Sequence, residues 1–388
     1  MKTPLFSFKN LVLALFICAN GVGQVHAQSQ ANSWPASTNI NKNGYPRILD
    51  DLRVVFNVKA PNAQSVQIDL GKLYAMNKDE QGVWSVTTEP QVPGFHYYSL
   101  VIDGVKVADP ASESFYGMSR QASAIEIPEK GVDFYHVKDV PHGALSSKYY
   151  YSNVTKSWRR LFVYTPAGYN ENTALNYPVV YIQHGGGEDE RGWAVQGFAD
   201  VILDNLIASG KAKPMLIVIA NGNVSTGGGG YSSAGMASFK EEMCQNIVPF
   251  IDKTYRTLPN AANRALCGLS MGGGQAFYTG LVNLNIFAHV GVFSSGIFGG
   301  INSPTGSSFD AEKEIPGLLS QSVHFNSKLK LFYISVGQQD PRFSFTSNAV
   351  KNFQDRGLKV TYQSFPGDHE WQVWRKSLHD FATKVFKP

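Results

Sequence analysis

The sequence predicts a small all-β sandwich followed by an α/β domain with a mostly parallel sheet. Three observations carry this reading. Apolar residues alternate with period two across residues 52–107, strands alternate with helix-period segments from about residue 149, and a glycine-rich turn at residues 268–273 joins an apolar strand to a helix. The chain has 388 residues, 43% hydrophobic and 16% charged, enough to bury a core in each of two domains.

Residues 1–27 read as an export leader: Lys2 and Lys9, an apolar run over residues 11–19, then Val25-His26-Ala27 as a small-residue cleavage site after Ala27. The run is too short for a membrane span, so the expected destination is the periplasm or the exterior. Cys18 would suit a lipoprotein, but Phe16 and Ile17 are bulky where small residues usually precede a lipidated cysteine. Beyond the leader, Cys244 and Cys267 are too few for a disulfide framework; each reads as a buried thiol, with a single bridge left open. No Cys/His spacing suggests a metal site, and no cofactor is called for. A net charge of +4 without basic blocks gives nucleic acid no obvious footing.

Residues 28–135 make the sandwich. Val54, Phe56 and Val58, then Val66, Ile68 and Leu70, then Trp84 and Val86, then Tyr98, Leu100 and Ile102 place one face of each strand inward. Pro61-Asn62, Gln81-Gly82, Pro93-Gly94 and Asp103-Gly104 supply the turns. The order of Ala60-Pro61-Asn62-Ala63, Gly82-Val83-Trp84, Pro93-Gly94-Phe95-His96-Tyr97-Tyr98, Asp103-Gly104 and Asp109-Pro110 resembles a family 48 carbohydrate-binding module. That resemblance implies an Ig-like sandwich that either binds glycan or serves as scaffold beside a neighbouring site. Residues 128–143, rich in turns and charge, read as a linker.

In residues 136–388 the expected strands are 160–164, 179–183, 216–220, 265–267, 290–293, 331–336 and 360–365, with helices at 239–255 and 271–284. Gly268-Leu269-Ser270-Met271-Gly272-Gly273 has the strand-to-helix context of a nucleophile elbow, the hallmark of an α/β-hydrolase fold. Side chains at Gly268 or Gly272 would collide with the neighbouring strand and helix, and Ser270 stands at a helix N-terminus that favours developing negative charge. A serine hydroxyl needs a base. Pro366-Gly367-Asp368-His369 follows the last strand and makes His369 that base; His379 falls inside the final helix and His324 precedes its strand. Asp340, after strand 331–336, is the expected third member, or else only a turn residue before Pro341. Asp368 is too close to the base to orient it. The oxyanion formed in acyl transfer needs two backbone donors; Met271 supplies one and Gly186, in His184-Gly185-Gly186-Gly187-Glu188, the second.

Together, residues 181–188, Asp204-Asn205-Leu206-Ile207, residues 268–273, Gly367-Asp368-His369-Glu370-Trp371 and Trp374-Arg375 resemble carbohydrate esterase family 1 over residues 145–388. The resemblance implies an enzyme without cofactor or metal that cleaves ester decorations of xylan. It implies Ser270, Asp340 and His369 as the triad, Gly186 and Met271 as the oxyanion hole, and feruloylated or acetylated xylan fragments as partners. Asp368 departs from a position where the family often has glycine. The expected function is feruloyl esterase; the alternatives are acetylxylan esterase, a siderophore esterase of the enterochelin type, and a non-catalytic carbohydrate-binding protein. Trp193, Tyr231, Phe293, Phe298 and Trp371 are the aromatic candidates for holding a phenolic ring, or else core residues.

Overall fold

Residues 33–224, 232–299 and 310–387 are described by the structure, a computed structural model. The leader at residues 1–27, Cys18 and Tyr231 lie outside the described residues.

The period-two segments form two antiparallel sheets. One runs in the order Ser33–Pro35, Arg47–Leu49, Val54–Lys59, Val83–Thr87, Asn77–Lys78; the other has Gly94–Ile102 between Arg120–Ile127 and Val66–Leu70. Val54, Phe56 and Trp84 from the first and Ile68, Tyr98, Leu100 and Ile125 from the second share one core. The second sheet has no solvated face in its middle: Phe95, Phe115 and Ala124 are buried in the core of the following α/β part. Strand 94–102 is therefore covered on both sides, and its inward alternation breaks down over residues 98–101.

The α/β part is one eight-stranded sheet. In chain order its strands are β1 (Ala144–Ser152), β2 (Ser157–Thr165), β3 (Val179–Gln183), β4 (Leu216–Ala220), β5 (Arg264–Leu269), β6 (His289–Phe293), β7 (Leu331–Gly337) and β8 (Thr361–Phe365). Their spatial order is β1-β2-β4-β3-β5-β6-β7-β8, with β2 antiparallel to both neighbours and the strands from β4 to β8 parallel. Strands β3 to β6 are buried throughout, as a doubly covered parallel sheet requires. Every parallel strand ends at the same edge, where the loops after β3, β5, β7 and β8 converge.

The segment at 128–143 has no helix or strand and runs from strand Arg120–Ile127 into the α/β part, packed along it: Tyr135 is buried, Asn205 donates to the carbonyls of Phe134 and His136, and His142 pairs with Asp204. One expectation needs correction. The helix expected at 239–255 is interrupted. Ser233–Glu241 is α-helical, Glu242–Ile247 widens to a π-helix, and Val248–Thr254 resumes the α form. Pro249 has no N–H for the preceding turn, and the buried Glu242 carboxylate accepts from Tyr150 and Ser152, which favours the wider turn. Cys267 is buried, Cys244 half-buried, and both are free thiols. Among the described residues, no helix is long and apolar enough to cross a membrane, and no His/Cys/Asp/Glu cluster could hold a metal.

Candidate active site

Strand β5 ends in a turn that its sequence dictates. Ser270 has φ 51° and ψ −114°, outside the allowed regions for an ordinary side chain, and the helix Met271–Val282 starts immediately after it. A Cβ on Gly272 would lie 2.5 Å from the His184 carbonyl, and one on Gly268 would lie 2.6 Å from the Gly272 backbone. Only glycine lets β3, β5 and the helix approach this closely.

The loops after β7 and β8 bring the other groups to this turn. His369 Nε2 lies 3.1 Å from Ser270 Oγ, and His369 Nδ1 lies 2.7 Å from Asp340 Oδ2. Asp340 accepts on its other oxygen from both the amide and the guanidinium of Arg342, at 2.9 Å each. Burial would raise the Asp340 pKa, but the hydrogen bond and charge of His369 and the Arg342 donors hold it below its ordinary value. With Asp340 ionised and accepting, the Nδ1–H tautomer leaves Nε2 with a lone pair toward Ser270. Burial is the main cause of a lowered His369 pKa, with Asp340 opposing it, so the imidazole is neutral at pH 7 and able to take the hydroxyl proton. Trp374 packs edge-on against the imidazole at 4.9 Å between centroids. Asp368 accepts from the His369 amide and does not touch the ring's Nδ1.

The Met271 amide opens its helix, where the first N–H groups have no intrahelical acceptor. Gly186 sits opposite in the loop after β3, with open space where a side chain would be. This loop is fixed by His184, whose Nε2 accepts from Gly222 N–H at 2.9 Å, so that Nδ1–H donates to Gly185 O at 2.7 Å. Burial lowers the His184 pKa and keeps this tautomer neutral.

Ser270, Gly186 and His369 open into a cavity of about 560 Å³. Its far wall comes from the N-terminal sheets, with Leu70, Val92, His96, Tyr97 and Met118, facing Trp371 and Trp374. Of the aromatic candidates, Trp371 lines this cavity. Trp193 does not: it is fully buried, with Nε1 donating to Gln183 O behind the sheet edge. Phe298 packs with Phe277 in the core on the other side of the helix, and Phe293 is buried beside Tyr333. All three are core residues, because their positions, Trp193 and Phe298 on short helices and Phe293 on strand β6, face packed layers rather than the cavity. His379 stacks on Phe134, away from Ser270.

Sequence reasoning missed Arg342, Tyr97 and the buried carboxyl of Glu188, which accepts from Tyr97 Oη and Trp371 Nε1, each at 3.1 Å. Arg342 could have been found from Asp340-Pro341-Arg342, a turn that brings a cation back onto its own aspartate. Tyr97 carried no signal, because its partner lies 91 positions away.

The sequence profile of the family described as "Putative esterase" matches residues 152–384. The chain belongs to this esterase family. It is 34% identical over 356 residues to an endo-1,4-beta-xylanase/feruloyl esterase of Xylanibacter ruminicola, covering 88% of this chain and 46% of that protein. It is 30% identical over 217 residues to endo-1,4-beta-xylanase Y of Acetivibrio thermocellus, covering 53% of this chain and 18% of that one. The chain thus spans less than half the length of either relative. Among solved structures it is similar to a CE1 ferulic acid esterase from Anaeromyces mucronatus in complex with ferulic acid, at 25% identity and TM-score 0.56, covering 66% of this chain and 96% of that one. It also shares its fold with the enterobactin esterase of Shigella flexneri, at 16% identity and TM-score 0.65, covering 86% of this chain and 92% of that one. The 86% of this chain that is covered exceeds what residues 144–387 supply, so the shared fold extends into the N-terminal sheets.

Proposed function

We propose that this chain is a carboxylic-ester hydrolase working through an acyl-enzyme on Ser270, and that its substrates are ester decorations of xylan, feruloyl esters first. The observation that carries the reading is the continuous relay Asp340–His369–Ser270 opening into an aromatic-walled cavity. In the first step His369 Nε2 takes the Ser270 proton as Oγ bonds to the ester carbonyl carbon, and the carbonyl oxygen gains negative charge beside the Met271 and Gly186 amides. The protonated His369, held by Asp340, then passes that proton to the departing alkoxide and leaves Ser270 acylated. Water, deprotonated by His369, releases the acid and restores the hydroxyl.

A cavity of this volume with aromatic walls suits a phenolic acyl group, and the relatives named for feruloyl ester cleavage support the same substrate class. Purified protein should release ferulate from feruloylated arabinoxylan fragments, and Ser270→Ala should abolish release; retained activity in that variant would reject the mechanism. Acetylated xylan in the same panel decides between acyl groups by the ratio of kcat/KM. A second reading, a siderophore triester, is favoured by the enterobactin esterase likeness over both parts of the chain, so enterobactin belongs in the panel. We read residues 1–27 as an export leader, tested by N-terminal sequencing of the mature protein. The N-terminal sheets wall the cavity, which supports a scaffold role over a detached glycan-binding one.

A further inference from the structure

The loop that carries Gly186 has three consecutive glycines and, unlike Gly272-Gly273-Gly274 in the helix Met271–Val282, no regular element to order them, so holding it in one form costs much conformational entropy. A backbone donor in such a loop stabilises an oxyanion only if something else holds it still. The restraints on this loop come in large part from the N-terminal sheets. Ser119 N–H, in the turn after strand Ser114–Gly117, donates to Gly187 O at 2.8 Å. Tyr97 Oη, from strand Gly94–Ile102, donates to Glu188 Oε1 at 3.1 Å and accepts from Gln196 Nε2 at 2.8 Å. Gln196 Nε2 also reaches Tyr116 O at 2.9 Å. Glu188 closes the loop on itself, because its Oε2 accepts from Gly185 N–H at 3.3 Å, the amide directly before Gly186. Trp371, two residues beyond His369, donates to the same carboxyl from the other side.

Glu188 is buried, lines the cavity and has no part in the proton relay. A buried carboxyl is costly unless it is fully hydrogen-bonded, and here burial raises its pKa to about 7 against the donors that lower it. Such a group persists where its geometry is needed. Gly117 adds to the case: a Cβ there would lie 2.3 Å from Tyr97 Oη, so the strand Ser114–Gly117, two places along the sheet, leaves room for this one ring to reach the loop.

We propose that Glu188 is a positioning residue that locks the glycine loop in its oxyanion-binding form, and that Tyr97 of the N-terminal sheets and Trp371 hold it there. The N-terminal sheets are thereby part of the catalytic apparatus. The inference rests on the ester-hydrolase reading above.

The test uses the full chain and p-nitrophenyl acetate beside methyl ferulate, with rates expressed per site titrated by a fluorophosphonate. Because the oxyanion donors act on the transition state, Glu188→Ala should lower kcat about tenfold or more with KM changed less than threefold, and Tyr97→Phe should lower it about threefold to fivefold. Glu188→Gln, which keeps an acceptor for Tyr97 and Trp371 but turns a donor toward Gly185 N–H, should fall between wild type and Glu188→Ala. Were Glu188→Ala to misfold by circular dichroism, Tyr97→Phe, which removes one hydroxyl, decides alone. A kcat per titrated site within twofold of wild type in the folded variants, with only the folded fraction or KM altered, overturns the proposal. A wild-type protein that turns over neither ester rejects the hydrolase reading itself.

Discussion

At the scale of single residues, the environment of His369 sets the pH behaviour. Its pKa is lowered chiefly by burial, and the base works only when neutral, so activity is lost as pH falls through a value below the ordinary 6.5 of histidine. The pH profile of kcat/KM should therefore show its acidic limb below 6.5; a limb above 7 would contradict the burial argument. Asp340 acts on the same ring. Asp340→Asn removes the carboxylate that selects the Nδ1–H tautomer and leaves Arg342 facing a neutral amide, so kcat should drop about 10³- to 10⁴-fold while KM for a small ester stays nearly constant. Steady-state kinetics on methyl ferulate measure this, and a loss under tenfold would demote Asp340 to a turn residue.

At the scale of elements, the elbow is where local sequence and tertiary packing meet. Gly272→Ala puts a methyl 2.5 Å from the His184 carbonyl and 2.6 Å from Gln183 Cβ, both fixed by strand β3, so relief requires moving backbone. The variant should be less stable by about 1–3 kcal/mol and should misplace the Met271 amide as well. Thermal melting together with kcat would register both effects, and an unchanged melting point would mean that β3 yields more easily than its pairing suggests. The elbow was legible from sequence because it is made of adjacent residues under one steric rule. Ser270, Asp340 and His369 were legible for a related reason: each follows a strand that hydrophobic runs mark clearly, and parallel strands deliver their ends to one edge. The aromatic wall was not. Trp193 and Trp371 look alike in a sequence, yet one points into the layer under the sheet and the other into the cavity, a difference set by how two helices pack. The interruption at Glu242 was equally hidden, since its cause includes hydroxyls from β1, 90 and 92 positions away.

At the scale of the whole molecule, the two parts are joined by a core and by a buried ion pair. Arg375, in the helix Trp371–Ala382, has a fully buried side chain that donates to both oxygens of Glu126 on the N-terminal sheet, to Gln196 O, and lies 4.5 Å above the Tyr135 ring. On the same helix Gln372 presses against Gly94, where a Cβ would come within 2.5 Å. One turn of helix thus meets the base His369, the loop-holding Trp371 and the N-terminal sheets. Removing one partner of a buried pair costs about 3–5 kcal/mol, because the other charge is left without a counterion. The neighbouring pair Lys376–Glu129, at 2.7 Å, is partly exposed and should be worth at most about 1 kcal/mol. Arg375→Met should therefore lower the melting temperature far more than Lys376→Met, and both proteins should still unfold in one transition, since Phe95 and Phe115 sit in the same core as Trp371 and Trp374. Differential scanning calorimetry decides the matter: two separate transitions in wild type, or equal shifts in the two variants, would mean that the parts fold independently and that the N-terminal sheets only lean on the site they wall.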